Sequence, residues 1–249
     1  MAYWEIDFSV FAPLTLKKHI VFEAEKGNTD FSFYSKIHLS DKPFGFNATV
    51  TASATQKNKA KIAGRVFFES MLNVLSFNID EPLYIYEEKI NLKNPNYLER
   101  RIVEESDFKK AFKIARFLER KESAITNALS WYSKALISNN VIDEFLYFYI
   151  VLEVLANKYS SENEYTKNGV KNRIYQVFKD YRLLEDNGDM PSWINEMNDI
   201  RTDIAHGNKK IDYERILFIS SKLALLKEKT RDILKKIMET KQTERENQR

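Results

Sequence analysis

The hydrophobic period of this chain is mostly that of strands in its first third and that of helices from Ser106 on, and that division limits the folds open to it. Near the start, Trp4, Ile6, Phe8 and Val10 alternate with Glu5, Asp7 and Ser9, the pattern of a half-buried strand. The alternation returns in Ile20, Phe22 and Ala24, in Phe31, Phe33, Ser35, Ile37 and Leu39, and in Phe44, Phe46, Ala48, Val50 and Ala52. Lys26 to Asp30 reads as a turn between two of these strands. From about Gln56 the repeat lengthens: Ala60, Gly64, Phe67, Met71 and Val74 share a helical face whose small residues allow close approach to a sheet. Leu83 to Tyr86 returns to a strand, and Asn94-Pro95-Asn96 breaks the pattern. The expectation for residues 1–105 is an α+β domain, an antiparallel sheet with a helix across one face.

After Ser106 the pattern is helical to the end. Phe108, Ala111, Phe112 and Ala115 line one helix, and Ile125, Leu129, Tyr132 and Leu136 the next, which stops at Ser138-Asn-Asn140. Val141 to Tyr159 is a broad apolar helix. Val170, Ile174, Val177 and Tyr181 mark another, ended by the polar turn Glu185 to Asp189. Pro191 suits the first turn of the helix that follows. A last helix from near Asp212 carries Ile216, Ile219, Leu223, Leu226, Ile233 and Ile237, a repeat interrupted by Thr230. Such a seam is mostly intramolecular core, but its length also suits a partner helix. Residues 106–240 therefore form an all-α bundle, and the polar tail 241–249 is expected to be disordered.

Composition narrows the chemistry. No cysteine is present, which excludes disulfides, thiol catalysis and thiolate metal sites. A net charge of +3 makes the molecule no polycation, so contact with nucleic acid would need a local cleft. The N-terminus lacks the regions of a signal peptide, and the most apolar run, Phe145 to Leu152, is too short to span a bilayer; a cytoplasmic protein with no membrane partner is expected. His19 and His38 fall in strands with no acidic cluster at ligand spacing and read as surface histidines, so no metal or other cofactor is expected.

The third histidine is placed differently. Between Asn195 and Gly207, a helix with Trp193, Met197, Ile200 and Ile204 on its core stripe leaves Arg201 beside the stripe and His206 nearly opposite, with Gly207 to close the last turn. An exposed, oriented histidine is a place for chemistry; it equally serves as a cation at a helix C-terminus, and Arg-x-x-x-x-His arises often by chance. Glu153 falls at the edge of the apolar arc of its helix, where a carboxylate must find a cation, and Arg201 is its natural partner.

The segment Phe145 to Ala156 together with Ile200-Arg-Thr-Asp-Ile-Ala-His-Gly207 resembles the HEPN superfamily, most nearly its ApeA-like group. The resemblance covers roughly residues 122–239. It implies a HEPN-like helical bundle and a metal-independent endoribonuclease, often of antiviral defence or toxin systems, with RNA as substrate. In that reading Arg201 holds the phosphate and His206 is the acid/base for 2′-OH attack. Glu153 orients Arg201, and Thr202 and Asp203 support the site; Thr202 stands where the family commonly has Asn, Asp or His. A non-catalytic HEPN scaffold that binds RNA, nucleotide or a protein partner is the alternative. Arg201 and His206 point about 140° apart on an unbroken helix, so a homodimer with facing motifs is expected, as in the family. A regulatory partner or trigger would act through the N-terminal region.

Overall fold

A computed structural model describes residues 2–28, 31–54, 56–86, 101–138, 140–184 and 190–247. The turn expected at Lys26 to Asp30 reaches into residues outside this set, and those expected at Asn94 to Asn96 and Glu185 to Asp189 lie wholly outside it. The chain forms an N-terminal antiparallel sheet with helices, followed by an all-helical region, in two compact units, 1–120 and 121–249.

In the first unit, β1 (Ala2–Phe11), β3 (Ile20–Asn28), β4 (Phe31–Lys42), β5 (Gly45–Ala54) and β6 (Tyr84–Tyr86) make a five-stranded sheet in the order β3-β4-β5-β1-β6. Every neighbouring pair is antiparallel. A short parallel pair joins β2 (Leu14–Leu16) to β7 (Arg101–Val103). Alternation sets the faces: Ile6, Phe8, Val10, Ile37, Leu39, Phe46, Ala48 and Val50 are buried on one side. Helix α1 (Lys57–Ile79) lies on that side through Ala60, Gly64, Phe67, Met71 and Val74. A Cβ at Gly64 would stand 3.1 Å from Ile6 Cδ1, so the missing side chain lets the helix approach. Phe68 stacks on Phe8 with centroids 5.6 Å apart.

Helix α2 (Glu105–Lys121) packs with this sheet. Phe108 meets Phe46 edge-on at 5.4 Å, and Phe112 touches both Phe22 and Phe67 at 5.0 Å. The first unit thus runs past residue 105, where the hydrophobic period changes. A helix with an apolar stripe buries it on whichever apolar surface is available, and period alone does not name that surface.

The second unit is built around α4 (Val141–Tyr159), which touches α3 (Ser123–Ile137), α5 (Val170–Asp180), α6 (Ser192–His206) and α7 (Tyr213–Glu246). Asn140 caps α4 by accepting from the amides of Ile142 and Asp143. With neighbours on several sides, α4 buries Phe145, Phe148, Tyr149, Val151, Leu152 and Leu155, an arc too broad for a surface helix. Two sequence expectations differ here. Residues 241–246 continue α7 as helix, with Lys241 near the Tyr159 ring and bonded to Glu244, because a polar segment joined to a formed helix adds turns without a new nucleus. The α7 seam is buried at Ile219, Leu226, Ile233 and Ile237, but Ile216 is exposed; the packed seam starts a turn later.

Candidate functional site

The candidate site lies where α6 ends and α7 begins. Helix α6 starts after Pro191 and buries Ile194, Met197 and Ile200. Ile194, which the sequence stripe omitted, carries the core contact, while Trp193 and Ile204 are half-buried at its margins. Trp193 packs edge-on against Phe178 at 5.2 Å. The Tyr149 hydroxyl donates to Asn198 Oδ1 at 3.1 Å and fastens α6 to α4. Burial, aided by the nearby Glu153, pushes that phenol above its ordinary range.

Arg201 Nε lies 3.2 Å from Glu153 Oε1. The Glu153 side chain is only 19% exposed and that of Arg201 37%. Burial raises the Glu153 carboxyl above its ordinary value, and the attraction of Arg201 opposes this without cancelling it. Arg201 is thus committed to the α4 face of its helix. Asp203 is committed to α7: its Oδ2 takes Lys209 Nζ at 2.8 Å and Arg215 Nη2 at 2.7 Å. Those cations, Lys209 first, hold its carboxyl below the usual range. Thr202 is half-buried between them in sequence.

His206 is exposed in the last turn of α6. Gly207 follows in the left-handed region with φ 64°; its amide and that of Asn208 both reach the Asp203 carbonyl, a closure that glycine makes at least cost. Because α6 is unbroken from Ser192 to His206, Arg201 and His206 diverge by about 140°. Each has a sufficient structural role, one in the ion pair with α4 and the other as the basic residue of the last turn.

The sequence reading missed the other half of this corner. A cleft of about 510 Å³ is lined by residues that include Asp199, Asp203, Lys209, Arg215 and Phe218. Lys222 pairs with Glu196, one of the lining residues, at 2.7 Å, and the Phe218 ring lies beneath both Arg215 and Lys222. Ile211, Ile216, Leu217 and Phe218 are exposed beside it, at 46%, 38%, 53% and 38%. Four consecutive apolar residues, Ile216 to Ile219, near the start of a helix already break an amphipathic pattern, and that was the available signal. Among the described residues no group of three or more histidines and carboxylates stands close enough to hold a metal ion, and no helix is long and apolar enough to cross a membrane.

Part of the chain is similar to a known family. The family model described as methylamine utilization protein MauJ matches residues 128–242, which is 115 of the 249 residues and spans most of α3 through most of α7. No curated protein and no solved structure matches. The match overturns the HEPN assignment. With it go the endoribonuclease reading, its HEPN-scaffold alternative and the link to antiviral defence or toxins. The physical reason is visible in α6: a short Arg-x-x-x-x-His spacing is met by an interhelical ion pair and a helix cap that need no shared chemistry.

Proposed function

We propose that the chain is a homodimeric cytoplasmic protein of methylamine utilisation that pairs with a second copy through the corner between α6 and α7. The observation that carries the pairing is a cluster. Of five large apolar side chains exposed in the helical unit among the described residues, four lie between Ile211 and Phe218. Single exposed apolar residues are ordinary, but a contiguous group marks an interaction surface. From Glu214 to Ser221 only Ile219 is buried, so three of the four apolar residues in these two turns of α7 are exposed.

A second copy suits this surface better than a strongly charged partner. The rim carries both signs, with exposed Lys209 and Lys210 beside Asp212 and Glu214. Two such rims related by a twofold axis can set opposite charges against each other, and isologous contact closes without growing into a filament. In this reading Glu153, Arg201, Thr202 and Asp203 hold the corner in shape, and His206 stands at its edge. The similarity to the MauJ model over residues 128–242 supports the metabolic setting.

Growth tests the setting. A host strain without the gene should grow poorly with methylamine as sole nitrogen source and normally with ammonium. The parent gene should restore growth, and a gene carrying Leu217→Asp and Phe218→Asp should not. Unimpaired growth of the deleted strain on methylamine contradicts the reading.

A further inference from the structure

The sheet of the first unit carries two of the chain's three histidines side by side. Ile20 and Phe22 of β3 and Ile37 and Leu39 of β4 are buried, so the residues that alternate with them face the other way. On that opposite face His38 stands across from Val21, and His19 lies one step beyond the Ile20–Leu39 pair, which makes the two histidines diagonal neighbours. Their ring centroids are 6.0 Å apart with planes inclined at 49°. His19 is exposed and His38 half-buried, and among the described residues neither ring makes a hydrogen bond or ion pair that would occupy its nitrogens.

We propose that His19 and His38 form a two-nitrogen site for a divalent transition-metal ion, with the remaining coordination positions open to water or to an added ligand. With metal–nitrogen bonds of about 2.0–2.1 Å and the donor atom on the ring itself, one ion spans ring centroids up to about 6 Å apart. Small rotations of the exposed His19 side chain complete the approach. Neutral imidazole selects zinc, nickel and copper over magnesium or calcium, and copper binds tightest in that series. Carboxylates add no further ligand among the described residues, so the site is open rather than closed.

Copper(II) titration of the full chain, read by calorimetry and by electron paramagnetic resonance, tests this. The parent should take up one ion per chain near neutral pH, with nitrogen coupling from two imidazoles. His19→Ala and His38→Ala should each weaken binding by at least about tenfold and leave coupling from one imidazole. Both side chains lie outside the core, so circular dichroism should be unchanged; His38→Gln provides a second variant that keeps a polar side chain on the strand. His206→Ala should bind as the parent does. Binding that survives loss of either sheet histidine, or that is lost with His206, overturns the proposal, as does a parent that takes up no copper.

Discussion

Removal of the Arg201 side chain should cost more than neutralisation of its partner, Glu153, although the two form one ion pair. At 3.2 Å and an effective dielectric constant of about 20, the bare attraction is about 5 kcal/mol. Most of that is offset, because Glu153 gives up hydration and its carboxyl sits above the ordinary value in spite of the guanidinium. Arg201 is more than a third exposed, so water screens the pair further and leaves about 1–2 kcal/mol of coupling. Arg201→Ala strands a half-buried carboxylate and should destabilise by about 2 kcal/mol at pH 7. Glu153→Gln removes the charge that burial penalises and should cost less than about 1 kcal/mol; placed in the Arg201→Ala background it should restore stability.

The pH dependence has a fixed sign. A carboxyl with its folded pKa raised above 4.5 contributes stability that is fully present below 4.5 and is lost as pH rises through the folded value. Without Arg201 that folded value rises further, so the cost of Arg201→Ala should shrink as the medium is acidified from pH 7 toward 4.5. Urea unfolding followed by tryptophan fluorescence, to which Trp131 and Trp193 contribute from the helical unit, measures each variant. A cost of Arg201→Ala that is the same at pH 4.5 and pH 7, or a Glu153→Gln variant as unstable as Arg201→Ala, would refute the reasoning.

Three further outcomes follow from single residues. Thr230 is fully buried in α7 and its hydroxyl has no partner among the described residues, so Thr230→Val should stabilise by about 1 kcal/mol; a loss of stability in urea unfolding would show that the hydroxyl is satisfied. Gly207→Ala places a Cβ in the left-handed region with φ 64° and open space around it, so only backbone strain of about 1 kcal/mol should appear, seen as a lower melting temperature of the helical unit. Asp203→Asn should lower the melting temperature at pH 7 but not at strongly acid pH. A carboxyl held below 3.8 contributes stability present above that value and lost as pH falls through the lower folded value, and calorimetry at both pH values compares them.

The sheet face, the α1 contact and the end of α6 were legible because each depends on short-range pattern: alternation at Ile6, Phe8 and Val10, small residues at Ala60 and Gly64, and glycine after His206. The Glu153–Arg201 pair was legible too, since a carboxylate on an apolar arc must find a cation. What lay out of reach depends on which surfaces meet. The apolar stripe of α2 fits a sheet as well as a bundle. Ile194 was displaced from the α6 stripe by its larger neighbour Trp193, which rests on Phe178 at the margin. His19 and His38 are nineteen residues apart in the chain, and only the β3–β4 register makes them neighbours. The Arg201–His206 spacing is short enough to be met by a cap and an ion pair, so by itself it specifies no shared chemistry.

Sedimentation equilibrium of the parent and of Leu217→Asp tests the proposed pairing most directly. Leu217 is the most exposed apolar residue of the α7 cluster, at 53%, so a carboxylate there should leave the monomer folded while it is buried unpaired in a dimer. Val66→Asp, at a similarly exposed site on α1, serves as the control. The parent and Val66→Asp should sediment as dimers, and Leu217→Asp as a monomer with the parent's circular dichroism. A parent that stays monomeric throughout the concentration series, or a Leu217→Asp variant that dimerises as the parent does, would contradict the account.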